Sequence, residues 1–229
     1  MTLTVLSSGS SGNCYVIQNE TEALIIEAGV PFKEVKKALD FNVMKIVGVI
    51  ASHIHSDHAG RMKEYEKAGI LTCKPYDISE HIFASFNHMG NFKIRDFHLK
   101  HDVPCYGFVI EHPDMGRLLY ASDTEYIKYR FKNINHILIE ANYDKDTIPD
   151  DAENREHVFM GHMEISTTCD FVKANDNPNL HEVVLLHLSE KNADSDDFQK
   201  RVSAVTNKPV YVARKGLTVD VSLLPEWCR

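Results

Sequence analysis

The chain has 229 residues, of which 43% are hydrophobic and 25% charged, so it is large enough for one globular domain with a full core. No apolar run approaches the roughly 20 residues that cross a bilayer, and the first residues lack the pattern of a secretory signal. Together with five scattered cysteines, this argues against a membrane or exported protein and predicts a cytoplasmic one. The formal net charge of -8 disfavours proteins that grip long nucleic acids, because these usually present a basic surface.

Short apolar, β-branched runs alternate along the chain with helical patterns. We predict strands over residues 3–6, 15–18, 23–27, 46–51, 107–111, 117–121, 136–140, 183–188 and 210–213. We predict helices over residues 32–39, 61–68, 166–174 and 196–205. Early hairpins followed by alternating strands and helices indicate an α/β fold with two sheets and outer helices, in a single domain over residues 1–229. The polar residues 144–157 are predicted to form an exposed excursion over the site or at a subunit contact.

Four candidate metal ligands follow the predicted strand 46–51 within six residues: His53, His55, Asp57 and His58. Imidazole nitrogens and carboxylate oxygens are the groups that zinc and neighbouring divalent metals accept. The alternative is a polar surface loop, but three imidazoles and a carboxylate so close together have no structural use without a metal. The segment therefore predicts a metal site at a strand end.

Three further candidates lie near the ends of predicted strands. His101 precedes one strand, Asp123 follows another, and His187 falls near the end of residues 183–188. Taken alone, His187 is equally consistent with a metal ligand and with a histidine of the core. Asp123 alone is also consistent with a helix cap. Their shared position at strand ends favours a common site.

The ordered motifs, namely His-x-His-x-Asp-His, a single His, Ser-Asp-Thr and His-Leu-Ser, resemble the metallo-β-lactamase superfamily. Residues 8–13, 101–108, 140–144, 161–162 and 187–192 further resemble its YycJ-like branch. That branch is similar to ribonuclease Z and to phage phosphodiesterases that destroy cyclic-nucleotide defence signals, the anti-Pycsar proteins. One departure is Glu27-Ala28-Gly29, where many relatives have Asp-x-Gly. We expect Glu27 to support the ligands from behind, as that aspartate does.

The resemblance implies an αββα sandwich with two divalent metal ions at one edge. Zn²⁺ suits the ligands best, and Mn²⁺ tolerates the same set. The first ion is expected on His53, His55 and His101, and the second on Asp57, His58 and His187, with Asp123 bridging both.

Such a pair of ions activates water and neutralises charge on a phosphoryl oxygen. We expect Asp57 to accept the proton of that water. His162, in a Gly-His pair that resembles ribonuclease Z-like enzymes, is expected to protonate the leaving group, with Glu140 orienting it. The alternatives are an ordinary helix residue for His162 and an exposed carboxylate for Glu140.

Substrate contacts are expected from the Gly-rich turn at residues 8–13, which includes Ser11 and Asn13, through backbone N–H groups that face a phosphate. The alternative for this turn is a plain hairpin. Lys191 lies near a predicted strand end and is expected to meet phosphate or base, with a surface charge as its alternative. The remaining histidines are expected at the surface or in packing: His81, His88, His98, His112, His136, His157 and His181.

Three functions remain open: a phosphodiesterase for a small nucleotide such as a cyclic nucleotide, a YycJ-like nuclease for DNA or RNA, and a binding module without catalysis. The full ligand set disfavours the last. The chain between His101 and Asp123 has room only for a hairpin, which argues against the long arm of transfer-RNA processing enzymes. The acidic net charge favours the small substrate. We also expect a homodimer, and we expect either a short loop or the neighbouring subunit to cover the base.

Overall fold

The computed structural model of the protein describes residues 1–77, 87–148 and 161–223. The strands of the first sheet are β1 (Thr2–Ser7), β2 (Cys14–Gln18), β3 (Ala23–Ile26), β4 (Ile46–Ile50), β5 (Thr72–Cys73) and β13 (Thr218–Asp220). Those of the second are β6 (Asn87–Met89), β7 (Phe92–Leu99), β8 (Cys105–His112), β9 (Gly116–Ala121), β10 (His136–Glu140), β11 (Glu182–Leu186) and β12 (Val210–Val212). Their orders are β13-β1-β2-β3-β4-β5 and β12-β11-β10-β9-β8-β7-β6. The described helices are α1 (Phe32–Ala38), α2 (Ser56–Ala59), α3 (Met62–Lys67), α4 (Ile165–Asn175) and α5 (Ser195–Ser203).

The two sheets face each other across an inner core, and helices cover their outer faces. Strand β10 illustrates the layering, because Leu138 points into the inner core while Ile137 and Ile139 pack in the outer layer with α4 and α5. On the other side, Val35 of α1 and Tyr65 of α3 pack on the outer face of the first sheet. This layering confirms the predicted αββα sandwich.

Every predicted strand and helix has a counterpart in the structure, with ends that shift by a few residues. Four strands were not predicted: β5, β6, β7 and β13. Strand β7 is eight residues long, but its exposed positions Lys93, Arg95 and His98 hide the apolar alternation of its buried face. Of the predicted excursion at residues 144–157, the structure describes only the beginning, a short 3₁₀ turn at Lys145–Thr147. His81 and His157 also lie outside the described residues.

The functional residues collect at one edge because neighbouring strands run parallel there. Strand β3 is parallel to β4, and β9, β10 and β11 are parallel to one another, so their carboxyl ends meet at the same edge. Glu27 and His187 come directly after β3 and β11, and Asp123 comes two residues after the end of β9. All three have left-handed backbones, with φ of 64° for Glu27, 54° for Asp123 and 52° for His187. Such conformations are unusual for residues with a Cβ and turn the chain sharply, which aims these side chains across the edge. None of the helices in the described ranges is long and apolar enough to span a membrane.

Candidate metal centre

The first group of donors consists of His53, His55 and His101. His55 Nδ1 lies 3.1 Å from His53 Nε2 and 3.4 Å from His101 Nε2. The three ligand atoms are all within 4.8 Å of one another. The structure therefore brings together the three imidazoles that the sequence motifs assigned to one ion.

The second group of donors consists of Asp57, His58, Asp123 and His187, again within 4.8 Å of one another. His58 Nε2 lies 3.4 Å from Asp57 Oδ2 and 3.3 Å from Asp123 Oδ2. The same Asp123 Oδ2 lies 3.8 Å from His53 Nε2 of the first group. The Asp123 carboxylate thus stands between the two groups, where a bridging ligand was expected.

In several histidine ligands, the outer ring nitrogen, which points away from the other donors, lies next to a polar protein atom. His101 Nδ1 donates to the Gly161 carbonyl oxygen at 2.9 Å, which leaves Nε2 directed into the site. His53 Nδ1 is 2.9 Å from Ser52 Oγ. The buried Glu27 carboxylate accepts the Ser52 backbone N–H and lies 3.4 Å from His58 Nδ1. Glu27 therefore lies behind the ligands, as expected for the residue that replaces aspartate.

Gly29 lets the chain approach the loop that carries Asp57, next to the Gly-rich turn at residues 8–13. A Cβ on Gly29 would lie 1.8 Å from the Asp57 carbonyl oxygen, so only glycine permits this approach. That same carbonyl accepts the Asn13 backbone N–H at 2.7 Å. The Ser8 hydroxyl accepts the backbone N–H of His187 at 2.9 Å. The turn at residues 8–13 therefore braces loops that carry ligands.

This bracing corrects the prediction for Asn13. The residue is fully buried, and its backbone N–H is used by Asp57, so it does not face a substrate phosphate. Its side-chain Nδ2 instead lies 2.9 Å from His58 Nε2, among the ligands. Ser11 is exposed at the turn, and Lys191 is exposed in the loop after β11, so their contacts with substrate remain predictions.

Next to both groups lies a hydrogen-bonded pair, His162 and Glu140. His162 Nδ1 is 2.6 Å from Glu140 Oε1, and the His162 ring centroid is 5.3 Å from that of His187 and 6.0 Å from that of His101. The buried Glu140 also accepts the backbone N–H of Thr124 at 2.9 Å. The structure thus places His162 beside the ligands and against the carboxylate that was predicted to orient it.

Several groups at this edge have pKa values that are far from their usual ranges. Burial, followed by the neighbouring His58, lowers the pKa of His53 to about 2. Burial also lowers the pKa of His187, but the Asp123 carboxylate and then the nearby Asp57 and Glu140 carboxylates outweigh it and raise that pKa to about 10. At Asp57, burial raises the pKa, but the neighbouring His187 and His58 rings hold it well below its usual range. The Asp57 carboxylate is therefore ionised and available as a ligand at neutral pH.

The arrangement fits divalent metal ions. His187 Nε2 is buried and has no hydrogen-bond partner among the described residues. In the first group, His55 Nδ1 faces a ring nitrogen of both His53 and His101, at 3.1 and 3.4 Å, and its one possible hydrogen can satisfy only one of them. A cation among these donors satisfies both features, and the mixed imidazole and carboxylate set is typical of zinc and manganese.

Comparison with known proteins agrees with this geometry. The sequence profile of the metallo-beta-lactamase superfamily matches residues 8–77. Exodeoxyribonuclease YycJ of Bacillus anthracis is 23% identical over 168 residues, which cover 63% of this chain and 64% of that protein. The alignment thus spans a little under two thirds of the length of that relative. Exodeoxyribonuclease WalJ of Streptococcus pneumoniae is 23% identical over 219 residues, which cover 82% and 81% of the two chains.

Among solved structures, the metallo-beta-lactamase fold protein YhfI from Bacillus subtilis superposes with a TM-score of 0.71 at 19% identity, covering 95% of this chain and 98% of that one. The fold and the two donor groups together define a candidate metal centre at one edge of a metallo-β-lactamase-like sandwich. The profile match over residues 8–77, the curated relatives and the fold support the metallo-β-lactamase superfamily and its ribonuclease Z-like and YycJ-like branch as the proteins that this chain is similar to. The resemblance to anti-Pycsar proteins remains a prediction.

Proposed function

We propose that the protein is a phosphodiesterase that uses two divalent metal ions, Zn²⁺ or alternatively Mn²⁺. The observation that carries this proposal is the Asp123 carboxylate, which stands between two complete donor groups. His53, His55 and His101 would hold one ion, and Asp57, His58 and His187 the other. When bound, such a pair of ions activates water and neutralises negative charge on a phosphoryl oxygen.

The chain's own residues supply the proton transfers. Asp57 combines an ionised carboxylate with a side chain that is 21% exposed, so it accepts a proton at the open side of the site. His162 donates a proton to the leaving oxygen, which needs one to depart as an alcohol. Glu140 is a positioning residue that accepts from His162 Nδ1, so that Nε2 is the ring nitrogen that donates to the leaving oxygen.

We further propose that the substrate is a small phosphodiester such as a cyclic nucleotide. A groove of about 460 Å³ adjoins His101 and is lined by Lys100, Tyr126 and Lys128. This volume is typical of small-ligand pockets, and the half-exposed Tyr126 ring offers a face for a base. The net charge of -8 repels long polyanions. A small phosphate, in contrast, responds mainly to the charges within the site itself, because more distant charges are screened.

A second candidate is cleavage of DNA ends. It is favoured by the curated relatives, which are named exodeoxyribonucleases. The two candidates share the metals and the His162–Glu140 pair, and they differ only in what lies in the groove.

A hydrolysis panel tests both proposals. Protein loaded with Zn²⁺ or Mn²⁺ is assayed on bis(p-nitrophenyl) phosphate, cyclic mononucleotides, cyclic dinucleotides, and single- and double-stranded DNA and RNA, with Asp57→Ala as the inactive control. We expect cyclic nucleotides to be cleaved faster than long polymers. Salt-sensitive degradation of duplex DNA without turnover of any cyclic nucleotide would select the exonuclease instead. Light scattering on the same samples tests the predicted homodimer.

A further inference from the structure

We propose that Asp102 is an additional, exchangeable ligand of the ion held by His53, His55 and His101. This inference rests on the proposed function only in that these imidazoles hold a metal ion. Asp102 follows His101 directly in the sequence, and its Oδ1 lies 3.0 Å from His101 Nε2.

The hydrogen bonding of His101 makes this contact informative. The Gly161 carbonyl oxygen can only accept, so His101 Nδ1 carries a hydrogen and the neutral ring presents a lone pair at Nε2. This same Nε2 faces His55 Nδ1 and Asp102 Oδ1. The Nε2 lone pair and the Asp102 carboxylate oxygen are both electron-pair donors, and at 3.0 Å they repel one another unless a cation lies beside them. Asp102 therefore lies at the border of the first group, next to the ligand nitrogen of His101.

The contact between Asp102 and His55 does not provide another explanation. Asp102 Oδ1 is 3.6 Å from the outer nitrogen of His55, which is beyond hydrogen-bond distance. It is thus closer to the nitrogen of His101 that faces the ion than to the His55 nitrogen that a supporting carboxylate would hold. This geometry favours a ligand over a residue that merely orients His55.

Exposure distinguishes Asp102 from the other ligands. Its side chain is 46% exposed, whereas that of Asp123 is 3% exposed and that of Asp57 is 21% exposed. A carboxylate at the open side can leave the ion without disturbing the core. An oxygen of an anionic substrate or of phosphate can therefore replace the Asp102 oxygen, which makes Asp102 a residue that competes with anions for the first ion.

The test uses the full chain loaded with Co²⁺, whose visible absorption reports the ligands around the ion. Asp102→Asn and Asp102→Ala are compared with the wild type and with Asp40→Asn, an exposed aspartate in the turn after α1. We expect both Asp102 variants to change the cobalt spectrum and to lose metal to a chelator about 10-fold faster or more. Inorganic phosphate should change the wild-type spectrum in the same direction and inhibit the variants more tightly. Asp40→Asn should match the wild type.

Unchanged spectra and unchanged metal loss in both folded Asp102 variants would overturn the inference, and Asp102 would then be only an ion-pair partner of a protonated His101. Hydrolysis of bis(p-nitrophenyl) phosphate separates this failure from failure of the proposed function. If the wild type hydrolyses it and the cobalt spectra do not respond, Asp102 alone is misassigned. If the spectra respond but no phosphodiester is cleaved, Asp102 is a ligand and the proposed reaction is wrong.

Discussion

Two opposite edges of the sandwich bury histidines next to carboxylates, yet the histidines are paired differently. At the edge where β4, β9, β10 and β11 end, imidazole nitrogens face other imidazole nitrogens, as with His53 and His55 at 3.1 Å. Asp123 contacts several of these rings at once. His187 Nε2 remains without a hydrogen-bond partner among the described residues.

At the other edge, the buried imidazoles of His112 and His136 each have their own hydrogen-bond partners. His112 Nε2 lies 2.9 Å from Glu22, and its Nδ1 accepts the backbone N–H of Asp114. His136 is paired with Glu182 through Nδ1 and with the Met115 carbonyl oxygen through Nε2, at 2.8 Å. These histidines need no ion, in agreement with their prediction as packing residues.

The comparison shows that the residue types alone do not define a metal site. Both edges bury histidine and carboxylate side chains. At the first edge one carboxylate contacts several rings and His187 Nε2 has no hydrogen-bond partner among the described residues, whereas at the second each imidazole has its own partners. Changes at the first edge should therefore affect metal and catalysis, and changes at the second should affect stability alone.

The largest effect is expected from Asp123→Asn, which keeps the size of the side chain and removes the charge shared by both donor groups. We expect elemental analysis to find close to two ions per wild-type chain and at most one in the variant. Hydrolysis should fall by several orders of magnitude, because the ions would no longer be held together. Two ions per chain in the variant would contradict the bridging role.

A smaller effect on catalysis is expected from His162→Ala. We expect both ions to remain and hydrolysis of substrates with poor leaving groups to slow by roughly 10²–10⁴-fold, the usual loss for a general acid. The loss should shrink on bis(p-nitrophenyl) phosphate, whose leaving group needs little protonation. His181→Ala, an exposed histidine elsewhere, is the matched control. Equal losses on both kinds of substrate would mean that His162 has a structural role.

The ligand set could be predicted because its motifs lie next to predicted strand ends, and the Glu140–His162 pair because Gly161-His162 resembles the Gly-His pair of ribonuclease Z-like enzymes. The burial of Asn13 could not, since it depends on how closely Gly29 lets the Gly-rich turn approach Asp57. The direction of a loop N–H is a property of the tertiary contact. The proximity of Asp102 to His101 Nε2 was missed for a related reason, because adjacent residues in a loop can point in any direction.

At the second edge, Glu22→Ala should lower stability and leave the metals in place. Glu22 accepts from His112 and from both the backbone and the side chain of Asn91, so it ties the β2–β3 turn to the other sheet. We expect a loss of about 1–3 kcal/mol in the free energy of unfolding, because these donors would be left without their acceptor. The exposed Glu20→Ala in the same turn should stay within about 0.5 kcal/mol. A loss of metal in Glu22→Ala would show that the two edges are not independent.

The smallest effect is the pH dependence of that same contact. Burial alone raises the pKa of Glu22, but hydrogen bonds from His112 and Asn91 outweigh it and lower the pKa below its ordinary value of 4.5. A carboxylate whose pKa is lower in the folded state stabilises the fold fully above its unfolded pKa, and this contribution is lost as pH falls through the folded pKa. Urea unfolding of the wild type and of Glu22→Gln should therefore show a constant difference in free energy from about pH 7 down to about pH 5, and a narrowing one at lower pH. Glu20→Gln should show no such change. A difference that stays constant across the acid range would mean that Glu22 acts through packing and not through its charge.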